Sequence, residues 1–205
     1  MSKIKPLIVF EGIEGTGKTT LINYISTYLR KKNISFVKIR EPGGNRNSEL
    51  IRRLILNKKN KFNSFTDLML YFAARSENIE KIINKFYRKR IILIDRFTDS
   101  TLAYQHYGMK LDKLLINRIN RILLKNIKPQ IVFINLVSEK NLKNRLNLRK
   151  NKNRYDSFKI KFYKKVQKGF LKISKNKSNY VLINSNNNLI ENKKKVLNHI
   201  LKFIN

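Results

Sequence analysis

No cysteine occurs in the 205 residues, which excludes a disulfide scaffold, a thiolate metal site and a cysteine nucleophile. Tryptophan is absent too, and 3 prolines and 7 glycines leave no stretch that reads as a long linker. There is no internal repeat. No apolar run approaches the length of a membrane span. The opening "MSKIKPLIVFEG" passes straight into a predicted strand, and its apolar part is too short for a signal sequence. A cytoplasmic protein is the expectation. Acidic residues are scarce: 13 Asp and Glu stand against 46 Lys and Arg, a formal net charge of +33. Such an excess invites a nucleic-acid reading. Yet Lys, Asn and Ile run through "LNKKNKFN", "RKNKNRY" and "NSNNNLIENKKKVLNHI" alike, with no basic block or arm. The charge therefore reads as a compositional drift on a solvated surface, and no specific nucleic-acid binding is expected. It would still raise encounter rates with small anions, in a salt-dependent way.

The length suits one domain spanning 1–205, and the 41% hydrophobic content is enough for a core. Short apolar runs at 6–11, 35–41, 90–96, 130–136 and 179–185 read as buried parallel strands. Between them lie helical patterns at 17–31, 47–57, 65–88, 111–126, 138–149, 155–175 and 188–204. Strict alternation predicts a doubly wound α/β fold with a parallel sheet and helices on both faces. Ligands of such sheets bind beyond the carboxyl ends of the strands. The segment "RKNKNRYD" (149–156) is the most polar interruption and the expected mobile segment.

"GIEGTGKT" (12–19) fits G-x-x-x-x-G-K-[ST] in full, after a predicted strand and before a predicted helix. In that setting the backbone N–H groups of Gly12, Ile13, Glu14, Gly15, Thr16 and Gly17 wrap a nucleotide's phosphates. Lys18 can bridge the β- and γ-phosphates, and the Thr19 hydroxyl can ligate Mg²⁺. The pattern predicts a nucleoside triphosphate site. It leaves open where the γ-phosphoryl goes, and why Glu14 puts a negative charge in a loop made for anions.

In "IILIDRFTDSTLAYQ" (91–105), Asp95 ends a strand within reach of the metal and Arg96 faces an anion in the same cleft. "KIREPGG" (38–44) sets Arg40 before turn chemistry, where it can grip a phosphate bidentately. "LMLYFAARSE" (68–77) carries Tyr71 and Arg75 four apart on one helix face, a flat ring and a guanidinium donor that suit a nucleobase. His106 and His199 have no ligand or triad partner and read as bystanders.

These motifs together resemble the bacterial thymidylate kinases, from "IVFEGIEGTGKTT" through "REPGG", "YFAAR" and "IDRFTDSTLAYQ" to "NRYD". The resemblance covers essentially the whole chain. It implies a P-loop NTPase-type fold with a five-stranded parallel sheet, a mobile lid at about 145–157 and a homodimer. The implied reaction is ATP- and Mg²⁺-dependent conversion of dTMP to dTDP. By resemblance, Arg40 and Arg96 hold the dTMP phosphate. Tyr71 stacks on thymine, Arg75 donates to a thymine carbonyl, and Thr101 reads the base edge. Tyr104 lies under the sugar, and Gln105 touches the base or phosphate. Glu14 would accept from the 3′-hydroxyl, a role for which an acceptor-only carboxylate is matched. Lys18, Asp95, Arg96 and a lid arginine would supply catalysis, with Thr19 and Asp95 on the metal. The loop itself contains no arginine, so Arg145, Arg149 and Arg154 are the lid candidates, Arg149 first. The chain departs from the family pattern at Gln130, Asn135, Asn153 and Asp156. A related nucleotide kinase and a nucleic-acid-binding P-loop ATPase are the competing readings.

Overall fold

The computed structural model describes residues 5–149 and 153–204. Five strands form one sheet: β1 (Leu7–Gly12), β2 (Phe36–Arg40), β3 (Ile91–Asp95), β4 (Ile131–Leu136) and β5 (Tyr180–Asn184). All four strand pairs are parallel, in the order β2-β3-β1-β4-β5. The central strands are apolar at successive positions because each face of the sheet is covered. Leu7, Val9, Ile92, Ile94, Val132 and Ile134 point into one core. Ile8, Phe10, Ile91, Leu93, Ile131 and Phe133 point into the other. On that second side, Leu21, Ile22, Ile25 and Leu29 of α1 (Lys18–Lys31) and Val196 and Ile200 of α9 (Leu189–Ile204) close the layer.

The first core is covered by α8 (Ile160–Ser174) and by helical segments on either side of β3. The run predicted over 65–88 is α3 (Ser64–Asn78), a π-helical stretch Ile79–Ile83 and the short α4 (Asn84–Phe86). After β3 comes α5 (Thr98–Thr101), continued by a second π-helical stretch, Leu102–Gly108. Periodicity did not reveal that helix. Its first turn is held by a carboxylate from β1 rather than by a local cap. The helix predicted from 155 starts instead at Ile160. Asn153 and Asp156 form a capping box around a single 3₁₀ turn, Arg154–Ser157, and Phe158 and Lys159 are extended. The remaining helices are α2 (Arg46–Leu56), α6 (Lys113–Leu124) and α7 (Glu139–Asn147). No helix among the described residues is long and apolar enough to cross a membrane.

Phe10 pairs with Asp95 and Gly12 with Asn135, so the loops after β1, β3 and β4 open side by side at one edge. The π-helical stretch that carries Tyr104 and Gln105 is pressed against α8 at two glycines. A Cβ on Gly169 would lie 2.8 Å from Cβ and Cγ of Tyr107, atoms too near the backbone to swing away. Gly169→Ala should therefore destabilise the fold by about 1–3 kcal/mol through overpacking, read as a lower urea midpoint at unchanged m-value.

Candidate active site

The phosphate loop is shaped by left-handed glycines: Gly12, Gly15 and Gly17 have φ of 135°, 67° and 78°. At Gly12 a side chain would also collide with the Asn135 carbonyl, 2.4 Å from the Cβ position. Gly17 caps α1 without a side-chain acceptor, and no acidic residue occupies the first turn. The helix thus presents its N–H groups and the positive end of its dipole to the cleft. Lys18 folds into the loop, donating to the carbonyls of Gly12 at 2.9 Å and Ile13 at 2.8 Å. Burial and then the Arg96 guanidinium bring its ammonium down to about 8. The Thr19 hydroxyl donates to Asp95 Oδ2 at 3.1 Å across the mouth of the loop.

Beside this loop lies a cavity of about 530 Å³, lined by Glu14, Lys18, Tyr71, Arg75, Asp95, Arg96, Thr101, Tyr104 and Gln105 among others. Every one of these was singled out from the sequence. Glu14 turns away from the phosphate cradle. Its carboxylate accepts from Arg96 Nη2 at 2.9 Å and from the Tyr104 hydroxyl. Burial alone would raise its pKa, but Arg96 and Lys18 overcome that and hold the carboxyl below its usual range. Arg96 also donates to the Gly12 carbonyl at 2.7 Å, and its guanidinium lies 5.2 Å from the centre of the Tyr104 ring.

Arg75 is 1% exposed, and its guanidinium is held on four sides. Nε donates to Glu41 Oε2 at 2.8 Å and Nη1 to Asn120 Oδ1 at 2.8 Å. Nη2 donates to the Phe97 carbonyl at 3.0 Å and to Thr101 Oγ1 at 2.9 Å. A guanidinium has five N–H groups, so one on Nη1 has no partner among the described residues. Because Thr101 accepts from Arg75, its own hydroxyl proton is left to donate. Gln105 is 1% exposed, and its Nε2 has no hydrogen-bond partner among the described residues. Tyr71 forms an adjoining wall, edge-on to Tyr155 with ring centres 6.3 Å apart.

The other predicted residues are spread around this cavity. Arg40 is more than half exposed and pairs with Glu49 at 3.0 Å. It lines a neighbouring cavity of about 490 Å³ that shares Asp95, Arg96 and Arg149 with the first. Arg145 reaches over the phosphate loop, donating to the carbonyls of Gly15 at 2.8 Å and Ser185 at 2.7 Å. Arg149 lines the main cavity and donates to Asp156 Oδ1 at 2.5 Å. Arg154 pairs instead with Asp67 of α3, tying the 3₁₀ turn to the wall. Residues 150–152 of the expected mobile segment lie outside the described residues.

Sequence reasoning missed Glu11, Glu41, Arg52 and Asn120. Glu41 and Asn120 hold Arg75 from opposite sides, and Arg52 lines both cavities. Glu41 lies inside "REPGG" and Glu11 directly precedes "GIEGTGKT", but neither was given a role of its own. Asn120 sits mid-helix in α6 and carried no signal.

A thymidylate kinase family model matches residues 10–196. The chain is 38% identical over 188 residues to a thymidylate kinase of Sulfurihydrogenibium sp. (strain YO3AOP1), spanning 90% of this chain and 91% of that one. It is 34% identical over 201 residues to a thymidylate kinase of Mycoplasma capricolum subsp. capricolum, spanning 96% and 93%. Its structure is similar to the crystal structure of thymidylate kinase from Ehrlichia chaffeensis, with a TM-score of 0.78 and 32% identity over 96% and 98% of the two chains. On sequence and on fold, the chain belongs to the thymidylate kinase family.

Proposed function

We propose that this protein transfers the γ-phosphoryl group of ATP to dTMP, giving dTDP and ADP on the way to dTTP. The observation that carries the acceptor assignment is the floor of the main cavity. A spare N–H of Arg75, the free proton of Thr101 and the amide of Gln105 lie among aromatic walls. Thymine has two carbonyl acceptors and one N–H donor on the edge of a flat apolar ring. A guanidinium N–H, a hydroxyl and a carboxamide meet that pattern. The amino groups of adenine and cytosine would face donors instead.

Glu14 then accepts from the sugar's 3′-hydroxyl, and Tyr104 beside it limits room for a 2′-hydroxyl. Arg96 holds the acceptor phosphate, with Arg40 on the outer side once it leaves Glu49. The nucleophile is a phosphate oxygen already ionised near neutral pH. It attacks the γ-phosphorus as the bond to the ADP oxygen breaks, and no protein base is required. What remains for the chain is positioning and charge neutralisation. The loop amides of residues 12–17 and Lys18 hold the donor phosphates. Arg145 flanks a further cavity of about 300 Å³ bordered by Ser185, Asn187 and Leu189, which suits the donor's base. The Thr19 hydroxyl and Asp95 carboxylate are adjacent hard oxygens. A hydroxyl and a carboxylate, both oxygen donors, suit Mg²⁺, an ion that keeps several waters and is commonly held by one or two carboxylates plus phosphate oxygens. Bound there, Mg²⁺ would supply charge to the transferring phosphoryl group. Arg149 completes the set after exchanging Asp156 for phosphate. A single domain with a lid at 145–157, a cytoplasmic location and a homodimer belong to the same reading.

With ATP and Mg²⁺, coupled ADP-release assays should show rapid turnover of dTMP and poor turnover of AMP, GMP and CMP. Comparable use of AMP and dTMP would reject the thymine pocket. Glu14→Ala loses a charged hydrogen bond of about 1.5–3 kcal/mol, so kcat/KM for dTMP should fall by about tenfold or more while the ATP KM holds. Arg149→Ala should lower kcat by on the order of 10³-fold and leave dTMP affinity, measured calorimetrically, close to that of the parent protein. Retention of most of the kcat would move the role to Arg145.

A further inference from the structure

The mechanism above makes no use of the most deeply buried carboxylate near the site. Glu11 lies in β1, has no exposed surface, and is not among the residues lining the main cavity. Its Oε1 accepts from the backbone N–H of Phe97 at 2.8 Å and of Ser100 at 3.1 Å. Its Oε2 accepts from the Ser100 hydroxyl at 2.5 Å. The same Ser100 oxygen accepts from Arg96 Nη1 at 3.3 Å. One carboxylate therefore holds both the backbone just after Arg96 and, through a hydroxyl, the guanidinium itself.

Arg96 needs such a hold. Its φ is 66°, in the left-handed region that residues with a Cβ seldom occupy. A conformation of that kind persists only where its surroundings over-determine it. Upstream, the Arg96 N–H is fixed to the Phe10 carbonyl at 2.9 Å. Downstream, the next two anchored N–H groups both end on Glu11. The Phe10–Glu11 stretch of β1 thus clamps the turn on both sides of the residue that faces the acceptor phosphate.

We propose that Glu11 is the positioning residue for Arg96, acting through Ser100 and the 97–100 backbone to set where the guanidinium meets the acceptor's phosphate. The inference rests on reading this cleft as the dTMP site. Burial and then the nearby Asp99 carboxylate push Glu11 up to about 7, so assays at pH 8 compare an ionised carboxylate with its amide. Glu11→Gln keeps a carbonyl for the two N–H groups but withdraws the charge facing the Ser100 hydroxyl. Ser100→Ala removes the bridge and leaves Glu11 in place. The loss of a charge-assisted link predicts a dTMP KM raised about fivefold or more in each variant, with the ATP KM within about twofold of the parent. Because both changes break one chain, the double variant should be no worse than the weaker single. Three results would each overturn the proposal. They are a dTMP KM within about twofold of the parent in either single variant, a parallel rise in the ATP KM, and multiplicative effects in the double variant. If Glu11→Gln does not fold, Ser100→Ala alone decides on its two KM values. A parent protein inactive on dTMP would reject the acceptor reading itself, a separate outcome from an active parent with indifferent variants.

Discussion

The ion pair between Glu14 and Arg96 joins the two halves of the site. Glu14 belongs to the loop that leaves β1, Arg96 to the turn that leaves β3, and the pair is mostly buried at 2.9 Å. Glu14 alone would be a carboxylate in a phosphate cradle, destabilised by burial and by the anion beside it. Paired with Arg96 and the Tyr104 hydroxyl, it stays ionised and points out of the cradle toward the neighbouring cavity. Arg96 in turn links back to the loop through the Gly12 carbonyl. One charged contact thus ties the loop after β1 to the turn after β3.

The scarcity of acidic residues makes their placement informative. Five of the six ion pairs among the described residues hold an arginine in or beside the cleft: Arg40, Arg75, Arg96, Arg149 and Arg154. Without those partners, the guanidinium groups of so basic a chain would repel one another around the cavity. The pairs differ in kind. Arg75–Glu41 is wholly buried, and removing one partner would leave an uncompensated charge; it behaves as a fixed part of the floor. Arg40–Glu49 is largely exposed, so solvent screens it and the pair adds little to stability. Arg149–Asp156 lies between, with the arginine accessible and the carboxylate buried by its capping box.

The 3₁₀ turn at 154–157 is built on the same carboxylates. Asp156 closes the 3₁₀ turn and holds Arg149, while Arg154 of that turn is anchored to Asp67 of α3. Tyr155 between them packs edge-on against Tyr71 and Tyr104. The turn therefore packs against the wall of the main cavity and, through Asp156, holds Arg149, which lines it. Asn153 and Asp156, two of the positions that depart from the expected motif, are the two residues that close this capping box.

Local chemistry was legible in the residues themselves. Continuous apolar runs marked β1, β3 and β4 because a parallel sheet buries both faces of its central strands, whereas the edge strands β2 and β5, also expected to be buried, are only partly so; "GIEGTGKT" marked the phosphate loop through its glycines at positive φ. Tyr71 and Arg75 on one helical face, and Thr101, Tyr104 and Gln105 after β3, came from motif and resemblance, and the fold gathers them into one cavity. What the sequence did not carry was the set of partners contributed by distant segments. Glu11 caps a helix some 90 residues away, Glu41 and Asn120 grip Arg75 from separate elements, and Asp67 claims Arg154. Nor did periodicity show the helix at 98–108, whose first turn depends on that remote cap. Strand, loop and nucleotide site follow from short-range pattern, because backbone geometry and burial act within a few residues. Which carboxylate each arginine pairs with was decided only in three dimensions, because a charge is held by whatever stands within hydrogen-bond reach, however far away in the chain.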